Sequence, residues 1–116
     1  MCDTNFLIKI GQNSYSVLPF LNIKGYISFV TEIELLGVFS INKIQKQNAT
    51  ELISEFEIIS MNDDIHQITI NLKQKYKLKL ADAIIAATAI HLKIPFITSD
   101  ADFKIIKELE LVILEK

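Results

Sequence analysis

Short apolar runs alternate along this chain with longer stretches of helical period, and that alternation constrains the fold more than any other feature. Tyr26 to Val30 reads as a buried strand that leads into a helix through Glu34, Leu35 and Leu36. Asn42 to Phe56 carries Ile44, Leu52, Ile53 and Phe56 at helical spacing, with a break or kink expected at Asn48-Ala49-Thr50. Glu57 to Met61 is a short apolar strand. Asn62-Asp63-Asp64 then supplies a helix start, with Ile65, Ile68, Leu72 and Tyr76 on one helical face. A helix rich in small residues covers Leu80 to Leu92. Pro95 opens a strand, Phe96-Ile97-Thr98; a short helix is expected from Asp102 to Lys107, and Leu111 to Leu114 is a final strand. Strands alternating with helices predict an α/β fold, a three-layer α/β/α sandwich with a central parallel sheet covered on both faces.

At 116 residues, 50% of them hydrophobic and 22% charged, the chain reads as one domain over residues 1–116 with a core of its own. Its basic residues are all Lys, twelve against fourteen acids, for a net charge of −2. That balance argues against a broad basic surface for nucleic acid. Acids clustered around a divalent cation would bring the loaded protein close to neutral, so RNA or DNA stays open as a substrate. The single Cys2 forms no internal disulfide, which fits a reducing cytoplasm. The N-terminus lacks the basic and apolar regions of a signal peptide, and no apolar run approaches the ~20 residues that span a membrane. Only Met1 and Cys2 precede Asp3, so a first strand ending there is nearly absent, and an upstream start of the native chain is expected.

Five carboxylates stand where apolar segments hand over to helices: Asp3, Glu34, Asp82, Asp100 and Asp102. A lone carboxylate is expensive to bury, whereas several at strand ends can share a cation. In parallel α/β sheets the site lies beyond the carboxyl ends of the strands. Hard oxygen ligands there suit Mg²⁺ or Mn²⁺. Helix capping competes as an explanation for most of them. Asp3 begins Asp-Thr-Asn, three good capping residues. Thr31-Glu32-Ile33-Glu34 matches a capping box in which Glu34 reaches back to Thr31, with Glu32 as the solvent-facing acid. One of Asp100 and Asp102 is expected to cap the short helix, leaving the other as a ligand. Asp82, set between Ala81 and Ala83 one turn before Ile85 and Ala86, is the acid that capping explains least. The chemistry such a group suits is phosphodiester hydrolysis. Asp3, Asp82 and Asp100 would be ligands, Glu34 would ligate through water or orient the nucleophile, and Asp102 would complete the rim. Thr4, Asn5 and Thr98 are placed to hold the carboxylates by hydrogen bonds.

The ordered set of motifs resembles a PIN domain of the VapC toxin ribonuclease type. The carrying residues are Asp3-Thr4-Asn5 before Phe6-Leu7-Ile8; Ser28 to Thr31 leading to Glu34-Leu35-Leu36-Gly37; Leu80-Ala81-Asp82-Ala83-Ile84-Ile85-Ala86-Ala87-Thr88-Ala89; and Ile97-Thr98-Ser99-Asp100-Ala101-Asp102-Phe103. The resemblance spans nearly the whole chain. It implies Mg²⁺- or Mn²⁺-dependent endoribonuclease activity, a homodimer, and inhibition by a VapB-like antitoxin. It also implies Asp3, Glu34, Asp82 and Asp100 as an acidic quartet, with Asp102 a common extra.

Lys73-Gln74-Lys75-Tyr76-Lys77-Leu78-Lys79 is the one basic concentration. Lys75 and Lys79 would grip an RNA backbone with Tyr76 stacking on a base; a solvated helix end with lysines answering the helix dipole is the plainer reading. His66 and His91 stand on helical stretches with no Ser or Cys partner nearby in sequence, which favours surface or packing roles. Two rival functions remain. A receiver-like phosphoacceptor would use Thr98 and Lys104 but has no place for Glu34 or Asp82, and no Asp closes the strand Glu57–Met61. A catalytically silent PIN-like interaction module is weighed against by carboxylates at all four quartet positions.

Overall fold

A computed structural model describes residues 1–3, 25–98 and 100–113. Strand β1 (Gly25–Ser28) is followed by helices α1 (Phe29–Leu36) and α2 (Lys43–Ile53), then β2 (Phe56–Ile59), α3 (Asp63–Lys75), α4 (Leu80–Leu92) and β3 (Phe96–Thr98). A 3₁₀ turn over Ala101–Ile105 and β4 (Leu111–Ile113) complete the described elements. β1 pairs with β2 in parallel, Gly25 opposite Phe56, and β3 pairs with β4 in parallel, Phe96 opposite Leu111. Residues 1–3 join the two pairs. Cys2 N donates to Tyr26 O at 2.9 Å on one side, while Ile97 N donates to Met1 O at 2.8 Å on the other. Cys2 and Ile97 form a parallel bridge. However short, the segment ending at Asp3 therefore occupies the middle of the sheet.

The alternation of side chains along each strand sorts the core into two layers. Met1, Tyr26, Ile59 and Phe96 pack with Ile65, Leu72, Ile85, Ala86 and Ala89 of α3 and α4. Their neighbours Cys2, Ile27, Ile58 and Ile97 pack with Leu35, Leu36, Leu52 and Ile53 of α1 and α2. Helices thus cover both faces, the sandwich that the strand–helix alternation predicts. The small residues Ala83, Ala86, Ala87 and Ala89 are fully buried, letting α4 lie close against the sheet and α3.

Where the structure differs from the sequence reading, a cap decides. The strand expected through Val30 ends at Ser28, because the Ser28 hydroxyl accepts from Val30 N at 3.1 Å and starts α1 there. Asn42 and Gln45 form a full capping box on α2, which runs unbroken through Asn48-Ala49-Thr50 while the Thr50 hydroxyl donates to Lys46 O. Phe56, expected to close that helix, opens β2 instead. Asn62 caps α3 as anticipated. The helix expected from Asp3 onward and the end of the last strand at Leu114 lie outside the described residues, as do Thr4 and Asn5.

Candidate active site

Asp3, at the end of the central segment, is 4% exposed. A carboxylate so deeply placed needs partners. Thr98, fully buried at the end of β3, donates its hydroxyl to Asp3 Oδ2 and accepts from Asp100 N at 3.0 Å. One threonine therefore fixes the carboxylate of Asp3 and the backbone that carries Asp100. The Asp100 carboxylate in turn accepts from Asp102 N at 2.9 Å through Oδ1, capping the 3₁₀ turn. The cap thus falls to Asp100, with one carboxylate oxygen used for it, and Asp102 is exposed in the first turn. Behind this loop, Phe96 and Phe103 meet edge to face at 4.7 Å, which ties both ends of the Asp100 segment to the core.

Asp82 stands in the first turn of α4, whose N-cap position is Lys79 with no side-chain cap bond. Capping does not account for it. Partial burial raises its carboxyl above the usual carboxylate range. The charge of Asp100 pushes the same way, as do Glu34 and Asp102, against an opposing contribution from Lys79. Three acids from two other parts of the chain thus act on Asp82 through space. Among the described residues, no three of the acids converge into a ready-made metal shell.

Glu34 changes its meaning in the structure. The capping box expected from Thr31 to Glu34 is absent, because Ser28 is the cap and Glu34 lies well past the first turn of α1. The assignment of Glu32 as the outward acid is also reversed: Glu34 is exposed and Glu32 half-buried. Glu34 is left with no helix-terminal duty, on the helix that packs against α4. Sequence reasoning gave the cap to Thr31 and used Ser28 only as part of a motif. The Ser-x-x-Thr-x-x-Glu spacing, which sets Thr31 and Glu34 one turn apart, was the available signal.

The basic stretch divides. Lys75 Nζ lies 3.4 Å from Glu108, whose carboxylate also accepts from the Tyr76 hydroxyl at 2.7 Å. The Tyr76 hydrogen bond is the main reason the Glu108 carboxyl is lowered, and Glu108 is the main reason the Lys75 ammonium is raised. Lys79, from the same stretch, is the lysine whose charge is felt at Asp82. His66 is exposed, and His91 sits beside Asn62 and Asp64. Burial pushes the Cys2 thiol up to about 11, so it is an inert packed residue. A cavity of about 200 Å³ between the end of α4 and the Glu108–Glu110 turn includes none of the five acids.

Residues 1–109 match the PIN domain family. The chain belongs to that family. Among solved structures, this PIN domain is similar to a toxin–antitoxin complex from Klebsiella pneumoniae, with 34% identity, a TM-score of 0.79, and 96% of this chain and 93% of that one covered. It is also similar to VapBC2 from Rickettsia felis bound to a promoter DNA fragment, at 26% identity and a TM-score of 0.76, covering 99% and 98% of the two chains. The fold is shared with DNA-bound VapBC from Salmonella typhimurium at 18% identity and a TM-score of 0.83, over 97% and 95%. These neighbours fit a VapC-type PIN domain. No curated protein matches the chain. No helix among the described residues is long and apolar enough to cross a membrane.

Proposed function

We propose that this PIN domain is a divalent-metal-dependent endoribonuclease and the VapC-like toxin of a toxin–antitoxin pair. The observation that carries the reading is Asp82. Its carboxylate occupies an uncapped first turn where burial and the charges of Asp100, Glu34 and Asp102 disfavour it, an arrangement that a cation relieves. The donors are hard oxygens, which suit Mg²⁺ or Mn²⁺. Asp3, Asp82 and Asp100 would hold the ion, with Asp102 on the rim. When bound, it supplies the positive charge that makes water more acidic and offsets charge on a phosphodiester.

The chain's own groups do the rest. Thr98 keeps Asp3 and the Asp100 backbone in register. Glu34, exposed and without a capping role, orients the attacking water through its carboxylate. Water adds to phosphorus, the P–O bond to the leaving oxygen breaks, and the proton from water ends on that oxygen. Lys79 sits where a phosphate approaching Asp82 would meet a positive charge, whereas Lys75 and Tyr76 are engaged with Glu108 and would add weaker backbone and stacking contacts. An antitoxin partner is supported by the toxin–antitoxin complexes the chain resembles, and by the apolar side chains of Ile33, Val38, Phe39 and Ile44 exposed around the α1–α2 turn. A homodimer is proposed on the family resemblance.

RNA cleavage with Mg²⁺ or Mn²⁺ by wild type and Asp82→Asn, both folded, tests the reading. The wild type should cut and the variant should lose at least tenfold of the rate. Equal cleavage by the two removes the site assignment. Partner binding without metal-dependent cleavage would favour a silent interaction module.

A further inference from the structure

Four threonines of the described residues lie in helices, and three dispose of their hydroxyls in the same way. Thr50, Thr69 and Thr88 each donate to the carbonyl four residues earlier, at 2.7–2.8 Å. Thr31 does not. Its hydroxyl is completely buried and has no hydrogen-bond partner among the described residues. The cause is positional: Thr31 lies in the first turn of α1, so the residue four earlier, Ile27, belongs to β1 and not to the helix.

An orphaned buried hydroxyl normally has a reason. On the surface of α1, the residues three and four positions on from Thr31 are its neighbours. Leu35 packs beside Cys2 and Ile27, next to Asp3 in the chain, while the charge of Glu34 reaches Asp82. Thr31 therefore shares a helix face with Leu35, which packs on the core, and with Glu34, whose charge is felt at Asp82. We infer that Thr31 is a positioning residue for the divalent-cation site, its hydroxyl taking up its hydrogen bond only when the ion and its water occupy the side of α1 on which the charge of Glu34 reaches Asp82. This rests on the metal-dependent reading above and adds to it a group that is not a carboxylate.

The substitution Thr31→Val keeps the shape and removes the hydroxyl. Three quantities are read: melting temperature in EDTA, the Mn²⁺ concentration giving half of the metal-induced rise in melting temperature, and RNA cleavage. The variant should melt no lower than wild type in EDTA, since the lost hydroxyl has no partner there. It should need roughly tenfold more Mn²⁺ and cut roughly tenfold more slowly. Thr31→Ser should restore both. A lower melting temperature in EDTA overturns the inference, because the hydroxyl would then have a structural partner. Unchanged Mn²⁺ response and cleavage overturn it alone. A wild type that neither responds to Mn²⁺ nor cuts RNA overturns the metal-dependent reading and this inference with it.

Discussion

Replacing Asp82 by Asn should make the metal-free protein more stable while removing its response to metal. The substitution keeps the side chain's shape and deletes one charge. In the folded chain that charge is disfavoured by partial burial, then by Asp100, Glu34 and Asp102, with Lys79 alone opposing them. Partly exposed charge pairs are worth about 0.2–1 kcal/mol each once water screens them. Three repulsions against one attraction then leave a net gain of about 1 kcal/mol. For a chain of 116 residues that is roughly 4 °C in melting temperature. The pH dependence has a definite sign. The folded carboxyl is raised above 3.8, so between 3.8 and the folded value the native state holds more protons than the unfolded one. Wild-type stability from this group falls as pH rises through that window, and the variant's advantage is complete above it and narrows to nothing as pH drops toward 3.8. Metal reverses the order. An ion at a hundred times its dissociation constant stabilises the wild type by about 2.7 kcal/mol, roughly 10 °C here, and the variant by far less. Thermal melts in EDTA and in Mn²⁺ at several pH values should therefore cross. A variant that melts lower than wild type in EDTA at neutral pH, or that keeps the full Mn²⁺ shift, refutes the reasoning.

Three further substitutions probe the frame around the acids. Thr98→Val removes the hydroxyl that links Asp3 to the Asp100 backbone and should cost about 1–3 kcal/mol in urea unfolding, with Thr98→Ser recovering most of it. Phe96→Ala empties a fully buried site and breaks the 4.7 Å contact with Phe103; a loss of about 3–5 kcal/mol is expected, a large part of the stability of a small domain. Gly25→Ala places a Cβ 2.5 Å from two ring carbons of Phe56, so it should destabilise by about 1–3 kcal/mol, with Phe56→Leu in the same chain recovering part of the loss in thermal melts.

The helix Leu80–Leu92 was legible to the residue, because a run of mainly small and apolar residues, too long for a strand, is bounded by Lys79 and Lys93. The strands were legible as apolar runs, but their ends were not. Tyr26 to Val30 is apolar almost throughout, and hydrophobicity does not tell where extended backbone turns into helix. Only the Ser28 hydroxyl on Val30 N does. The same holds at Phe56, whose apolar side chain suits the helix before it as well as the strand it opens. Periodicity also could not separate Asp100 from Asp102 as the cap, since the choice rests on which carboxylate reaches a backbone N–H two residues on.

The displaced cap at Ser28 also changes the weight of the acids. With Thr31 as the cap, Glu34 would have had a structural task within its own helix, and its carboxylate would have pointed back at backbone N–H groups. With Ser28 as the cap, Thr31 takes the place three residues in, Glu34 moves beyond the first turn, and neither has a role in ending the helix. The shift leaves one buried hydroxyl without a partner and one exposed carboxylate whose charge is felt at Asp82. The first forgoes a hydrogen bond, and the second places a like charge where Asp82 feels it. A buried hydroxyl without a partner and acids whose charges are felt at Asp82 are what a site held ready for a cation would contain. On the present reading Asp82, Glu34 and Thr31 are stabilised together, by the same ligand, and variants at the three should lose their Mn²⁺ response non-additively.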